Sequence, residues 1–145
     1  MKLQLINFEL KLRDMKKLFI LLIITTMPVL YGCKEIKVTF AESGSTIDMI
    51  VGQTLKVELP ANASSGNTWR KIMYNDSIIV KSGKPNYMLA DDRIGSPGVY
   101  YYRFKTIGQG KTKLIMEYGN KYDDDKKALK TFEITLIVHE NKNSK

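Results

Sequence analysis

The sequence has very few of the residues that build metal centres or cross-link small domains. It contains one cysteine and one histidine among 145 residues, so it can form neither an internal disulfide nor a Cys-rich or His-rich metal site. One imidazole is also the most that it can offer as a histidine base, and no serine lies in a Gly-x-Ser-x-Gly elbow. These absences argue against an enzyme and against a bound cofactor or metal.

The N-terminal part carries an apolar run that is typical of an export signal. Lys16 and Lys17 precede the apolar stretch 18–27, which is too short to span a bilayer comfortably. Leu30-Tyr31-Gly32-Cys33 then resembles a bacterial lipobox, in which the cysteine is lipid-linked and becomes the first mature residue. We therefore expect residues 1–32 to be a lipoprotein signal segment, with Met15 as an alternative start, and an exported chain held to a bacterial membrane at Cys33. The alternative is an ordinary N-terminal anchor with an incidental cysteine.

The net charge needs correcting for that signal segment. The whole chain carries a formal charge of +8, and removing residues 1–32 takes away five basic and two acidic side chains, which leaves +5. The remaining lysines are scattered instead of forming a stripe with interleaved aromatics. The composition therefore does not predict nucleic-acid binding.

The chain after Cys33 alternates apolar and polar residues with a period of two, which predicts strands. Clear examples are 36–40, 54–59 and 131–138, and aromatic residues favour a strand at 99–106. No sustained helical period follows Cys33. We expect an all-β, immunoglobulin-like β-sandwich of seven to eight strands. The domain would span 46–139, with a tether at 33–45 leading into the first strand and a polar tail at 140–145. We expect it to be a monomer.

Three polar, glycine-containing loops interrupt these strands at 62–67, 91–98 and 119–127. Loops at one end of a sandwich can form a binding edge. Trp69, the only tryptophan, directly follows the first loop and is expected to lie in the core between the sheets, supporting that loop.

Two of the loops carry motifs. The first reads Asn62-Ala63-Ser64-Ser65-Gly66 before Trp69, and the second reads Gly95-Ser96-Pro97-Gly98 before the aromatic strand. In order and spacing they resemble the chagasin-like inhibitors of papain-type cysteine peptidases, whose first motif is Asn-Pro-Thr-Thr-Gly and whose second is Gly-x-Pro-Gly. The family's third motif, Arg-Pro-Trp, is absent, and Lys121 and Tyr122 stand in roughly that place. The resemblance covers residues 46 to 138.

The resemblance implies a single sandwich domain that reversibly occludes the active-site cleft of a peptidase. The first loop (Asn62 to Gly66) would enter the cleft, and the second (Gly95 to Gly98) and the third (Lys121, Tyr122) would grip its sides. No catalytic residue, cofactor or metal is implied. Other readings remain open for single residues: Asn62 can form an Asx turn, the glycines can serve turn geometry alone, and Tyr122 can pack on its own sandwich.

Alternatives also exist for the whole chain. One is a lipid-anchored binding or adhesion module that reuses the fold without inhibition, and another is a structural envelope protein. Asp91 and Asp92 with Asp123, Asp124 and Asp125 would form a calcium site only if six or more oxygens converged, so we expect a solvated acidic loop. His139 is expected to lie on the surface.

Overall fold

A computed structural model describes residues 35–91, 93, 95–123 and 126–142. These residues all belong to one compact unit, Cys33–Lys145. The expected signal segment, Cys33 and the last three residues of the tail lie outside the described residues. Asp92, Asp124 and Asp125, which belong to the calcium-site alternative, also lie outside the described residues.

The described chain is built from strands, with two short 3-10 turns. The strands are β1 (Glu35–Thr39), β2 (Thr46–Ile50), β3 (Thr54–Ala61), β4 (Asn67–Met73), β5 (Ile79–Lys81), β6 (Asn86–Leu89), β7 (Gly98–Thr106), β8 (Gly110–Asn120) and β9 (Lys130–His139). The 3-10 turns are Phe40–Glu42 and Ala63–Ser65. The described residues thus hold nine strands where the sequence predicted seven or eight, and the short strands β5 and β6 account for the difference.

The strands form two sheets. One has the order β1-β3-β7-β5, with β6 also pairing with β7, and the other has the order β2-β9-β8-β4. Most neighbours are antiparallel, but β1 runs parallel to β3 and β2 runs parallel to β9. This arrangement confirms the predicted all-β sandwich. The fold already includes β1, ahead of the predicted boundary at residue 46, because β1 pairs with β3 and buries Val38.

The core lies between the two sheets and follows the alternation in the sequence. In β3 the buried side chains are Leu55, Val57, Leu59 and Ala61, and in β9 they are Phe132, Ile134, Leu136 and Val138. Burying one of the larger of these side chains stabilises the fold by about 1.5–3 kcal/mol. Because the pleat sends every second residue inward, β3 and β9 are held firmly by the core. The loops at the ends of these strands therefore start from fixed positions.

Candidate functional site

The three predicted loops lie at the same end of the sandwich because of the strand register. Ala61, the last residue of β3, pairs with Gly98, the first residue of β7. Asn67, the first residue of β4, pairs with Asn120, the last residue of β8. The chain between β3 and β4 therefore lies beside the chain entering β7 on one side and the chain leaving β8 on the other.

The loops also touch one another through hydrogen bonds. The Asn62 side-chain amide donates to the carbonyl of Gly95 in the second loop, at 3.5 Å. The backbone N–H of Lys121 in the third loop donates to the carbonyl of Gly66, at 3.2 Å. The first loop is therefore the central member of a three-loop edge.

The first loop is closed by its own residues. The Ser64 N–H donates to Asn62 Oδ1 at 3.0 Å, and the Ser65 hydroxyl donates to the Asn62 carbonyl at 2.7 Å. Gly66 ends the 3-10 turn in the left-handed conformation, at φ 74°, where a side chain would be strained. Asn62 thus forms the Asx-type cap considered from the sequence. The side chains of Ala63, Ser64 and Ser65 are left exposed.

Two buried aromatic residues support the first loop from below. The Trp69 indole N–H donates to the Pro60 carbonyl at 3.2 Å, and its ring lies 5.2 Å from that of Tyr118. The Tyr118 hydroxyl accepts a hydrogen bond from the Asn62 N–H at 3.0 Å. Trp69 is 4% exposed and Tyr118 is 7% exposed, so the residues that enter the loop, Pro60 and Asn62, rest on the rigid core. Trp69 therefore lies where the sequence placed it.

The second loop is organised around Asp91. The Arg93 guanidinium donates to Asp91 Oδ2 at 2.7 Å, and the Ser96 hydroxyl donates to Asp91 Oδ1. The hydrogen bonds from Arg93, and then from Ser96, lower the pKa of Asp91 to about 2. Ser96 is buried, so it shapes the loop, while Gly95 and Pro97 face solvent.

Gly98 has a packing role at the start of β7. A Cβ on this residue would lie 2.3 Å from the Met88 carbonyl oxygen and 2.6 Å from the Tyr87 ring. The Tyr87 ring therefore occupies the space beside Gly98 that any other residue's side chain would fill. The Tyr87 hydroxyl accepts a hydrogen bond from the Ala63 N–H at 3.5 Å. Through this tyrosine, β6 is another support of the first loop.

The third loop depends on a buried arginine. Trp69 points into the core, so its neighbour Arg70 points to the outer face of the sheet; nevertheless Arg70 is only 8% exposed. Its guanidinium donates to the backbone carbonyls of Asn120, Asp123 and Lys126, so the loop folds over it. β8 continues to Asn120, so the predicted loop 119–127 starts later, at Lys121.

Gly119 of β8 makes room for that guanidinium. A Cβ there would lie 3.0–3.1 Å from the Arg70 guanidinium atoms, closer than normal packing allows. The sequence did not single out Arg70, Tyr118 or Tyr87. An arginine in a strand is usually a surface residue and a tyrosine is usually part of the core, so neither residue type indicates that it supports a loop. The one signal for Arg70 is the glycine at position 119, next to the end of the neighbouring strand β8.

An exposed cation and aromatic ring lie in the third loop. The Lys121 ammonium lies 4.6 Å from the centre of the Tyr122 ring, and this phenol raises the pKa of Lys121. Tyr122 is 83% exposed, so it does not pack on its own sandwich. Its ring is available to a partner.

Further exposed apolar side chains lie near this end. Met88 and Leu89 are 56% and 51% exposed at the end of β6, and Leu129 is 65% exposed just before β9. Together with Tyr122 they flank the three loops. Exposed apolar groups beside a rigid edge are typical of a protein-binding surface.

The remaining candidates lie elsewhere or do not assemble. His139 is exposed at the opposite end of the sandwich, with Nε2 2.8 Å from Asp48 Oδ1. Over the part of the chain that the structure describes, no three His, Cys, Asp or Glu side chains come together as metal ligands. Nor does any helix of that part have the length and apolarity needed to cross a membrane.

Comparison with known proteins identifies the class. Residues 48–136 match the family described as chagasin family peptidase inhibitor I42. Among solved structures, the cysteine protease inhibitor EhICP2 from Entamoeba histolytica is similar at 18% identity and a TM-score of 0.64, over 72% of this chain and 96% of that one. Amebosin is similar at 18% identity and a TM-score of 0.60, over 73% and 99%. No curated protein matches the chain by sequence.

The chain belongs to the chagasin family of peptidase inhibitors. The family resemblance drawn from the loop motifs is thereby confirmed, as is the prediction of a peptidase inhibitor. The family consists of inhibitors and not enzymes. Membership also favours inhibition over the adhesion module and the structural envelope protein.

Proposed function

We propose that this protein reversibly inhibits papain-type cysteine peptidases by occluding the active-site cleft with the three-loop edge. The observation that carries the proposal is the central position of the first loop, which presents only small exposed side chains, Ala63, Ser64 and Ser65. Small side chains let a loop backbone enter a narrow cleft. On this proposal Ser64 and Ser65 lie nearest the catalytic cysteine of the peptidase.

Preorganisation supports this function. The loop is closed by its own hydrogen bonds and rests on Trp69 and Tyr118. A loop that is already ordered loses little conformational entropy on binding, so more of its contact energy appears as affinity. The second loop contributes Gly95 and Pro97 as exposed contacts beside it.

Tyr122 takes the place of the missing aromatic of the third motif. Its ring is exposed, and Lys121 beside it supplies a cation. Exposed aromatic residues that become buried in a complex often dominate its affinity. Tyr122 and Lys121 are therefore the proposed anchor on one side of the cleft.

The direct test is a titration of papain with residues 34–145 and a fluorogenic substrate. We expect inhibition that saturates at one inhibitor per enzyme. Absence of inhibition at micromolar protein, against several papain-type enzymes, would contradict the proposal for this chain.

A pair of variants assigns the effect to the first loop. Ser64→Trp places a bulky ring at the exposed tip, while Ser77→Trp makes the same change at an exposed serine between β4 and β5 at the opposite end. Inhibition should be lost only with Ser64→Trp, with the thermal midpoints of both variants close to that of the parent. Equal loss of inhibition by the two variants would show that the first loop is not the contact.

We also propose that the mature protein is exported and lipid-anchored at Cys33. The support is the basic start, the apolar stretch 18–27 and Leu30-Tyr31-Gly32 before the cysteine. Cys33→Ser should abolish both membrane association and labelling with a radioactive fatty acid. Retention of either by the variant would contradict a lipid anchor at this residue.

A further inference from the structure

The direction of β1 determines where the mature chain enters the sandwich. Glu35, its first residue, pairs with Thr54, the first residue of β3. β3 runs from there toward Ala61 and the first loop. Because β1 and β3 are parallel, the chain enters the fold at the end opposite the three loops.

That opposite end carries exposed aliphatic side chains on its turns. Ile50 is 39% exposed at the end of β2, and Ile107 is 47% exposed between β7 and β8. The two turns are tied together, since the Thr106 hydroxyl donates to the Ile50 carbonyl at 2.7 Å. Charged residues of both signs adjoin the strand ends here: Lys105 and Lys111 are basic, and Asp76 and Glu140 are acidic.

We propose that this end of the sandwich rests on the bilayer surface, with Ile50 and Ile107 in the interface and the three loops directed away from the membrane. The proposal depends on the lipid anchor at Cys33. Only Lys34 separates that residue from β1, and two residue steps reach about 7 Å at most. So short a connection keeps the end that bears Glu35 at the membrane.

The consequence concerns which peptidases the inhibitor can reach. β3 has eight residues, and at about 3.3 Å per residue the loops stand roughly 25 Å from the membrane-facing end. A peptidase in the aqueous phase can approach them freely. A peptidase tethered to the same membrane can engage them only if its cleft faces the bilayer at that height.

The test measures depth in the full lipidated protein. It is reconstituted in phosphatidylethanolamine–phosphatidylglycerol vesicles containing a lipid with a nitroxide on its headgroup. A fluorophore is attached at Gln109→Cys, in the turn beside Ile107, or at Ser64→Cys, in the first loop; the lipidated Cys33 does not react. Quenching should be several-fold stronger at position 109 than at position 64. Equal quenching, or stronger quenching at position 64, would overturn the orientation.

A matched pair of variants tests the aliphatic contact. Ile107→Ser should reduce the quenching of the label at position 109 by a factor of two or more. Met88 is a somewhat more exposed apolar residue near the loops, and Met88→Ser should leave the quenching unchanged. If Ile107→Ser has the quenching and thermal midpoint of the parent, Ile107 does not lie in the interface and that contact is refuted.

The same vesicles separate this proposal from the proposed function. Protein that does not float with vesicles overturns both the anchor and the orientation. Protein that floats and inhibits papain, but is quenched equally at both positions, overturns the orientation alone. Protein that floats with the expected quenching and leaves papain active supports the orientation and contradicts only the inhibitory function.

Discussion

The first and third loops lie side by side at one end of the sandwich, yet they are held in different ways. The first is a short 3-10 turn closed by Asn62, Ser65 and Gly66 within its own sequence. The third is folded over Arg70, which lies about fifty positions earlier in the chain. The Arg70 guanidinium donates hydrogen bonds to the backbone carbonyls of Asn120, Asp123 and Lys126. A binding edge can thus combine a locally encoded loop with one whose shape is set by a distant side chain.

Removal of Arg70 should have the largest effect and should separate the two loops. Arg70→Met removes the guanidinium that donates to the carbonyls of Asn120, Asp123 and Lys126, so we expect a loss of about 2–4 kcal/mol in the free energy of unfolding in urea. Amide exchange should rise at Lys121 and Tyr122 and stay unchanged in the first loop. Inhibition should weaken because the anchor loses its position.

The control for this variant is Arg103→Met. Arg103 is half exposed and pairs with Glu35 at 3.1 Å, and a surface ion pair contributes about 0–1 kcal/mol. If Arg70→Met were no more destabilising than Arg103→Met, the third loop would not depend on the buried arginine.

Strain at Gly66 should disturb the first loop and weaken inhibition. Gly66 has φ +74° and open space around its Cβ position, so Gly66→Ala adds conformational strain alone, about 1–2 kcal/mol. Gly83, with φ +77° and equally open space, lies between β5 and β6 and offers a matched control. Both alanine variants should lose similar stability in urea, and only Gly66→Ala should weaken papain inhibition. Equal inhibition by the two variants would show that the conformation at Gly66 does not matter for binding.

The hydroxyl of Tyr118 is the point at which the first loop depends on the sheet. Tyr118→Phe removes the acceptor of the Asn62 N–H, and we expect a loss of about 1 kcal/mol in the free energy of unfolding. The control is Tyr101→Phe, at a tyrosine whose ring centre lies 4.7 Å from the Lys56 ammonium. This variant should change the free energy of unfolding by less than about 0.5 kcal/mol. Faster exchange of the Asn62 amide in Tyr118→Phe alone would show that the Tyr118 hydroxyl holds the first loop in place. The same exchange rate in both variants would refute this.

The second loop should respond to acid at an unusually low pH. The pKa of Asp91 is lowered from 3.8 to about 2, so the ionised form is favoured in the folded state. Its stabilising contribution is present above pH 3.8 and is lost as the pH falls through about 2. An NMR titration should show the Ser96 and Arg93 amide shifts changing near pH 2, and Asp91→Asn should remove that change. A midpoint near 3.8 would mean that the hydrogen bonds to Asp91 do not persist in solution.

Much of the fold could be predicted because its signals are local. Alternation in β3 and β9 puts Leu55, Val57, Phe132 and Ile134 on inward faces, which needs only the period of a strand. The turn at Asn62 to Gly66 was predictable for the same reason, since its capping residues are neighbours in sequence. The short strand β6 was harder, because it is held by its pairing with β7 and has little pattern of its own.

The parts that escaped prediction all depend on residues far apart in the chain. Tyr118 and Asn62 are 56 positions apart, and Arg70 and Lys126 are also 56 apart. Strand register brings each pair together, and no sequence spacing encodes it.

By itself, the sequence determined the all-β class, the inhibitor family and the segments that become the loops, because each follows from short-range pattern and motif. The tertiary structure alone decided which strand pairings bring the three loops to one end, that Arg70 shapes the third, and that β1 begins at the other end. These are consequences of which strands pair and in which direction. They depend on burying the two sheets against each other, a long-range energy that no short segment of the chain contains.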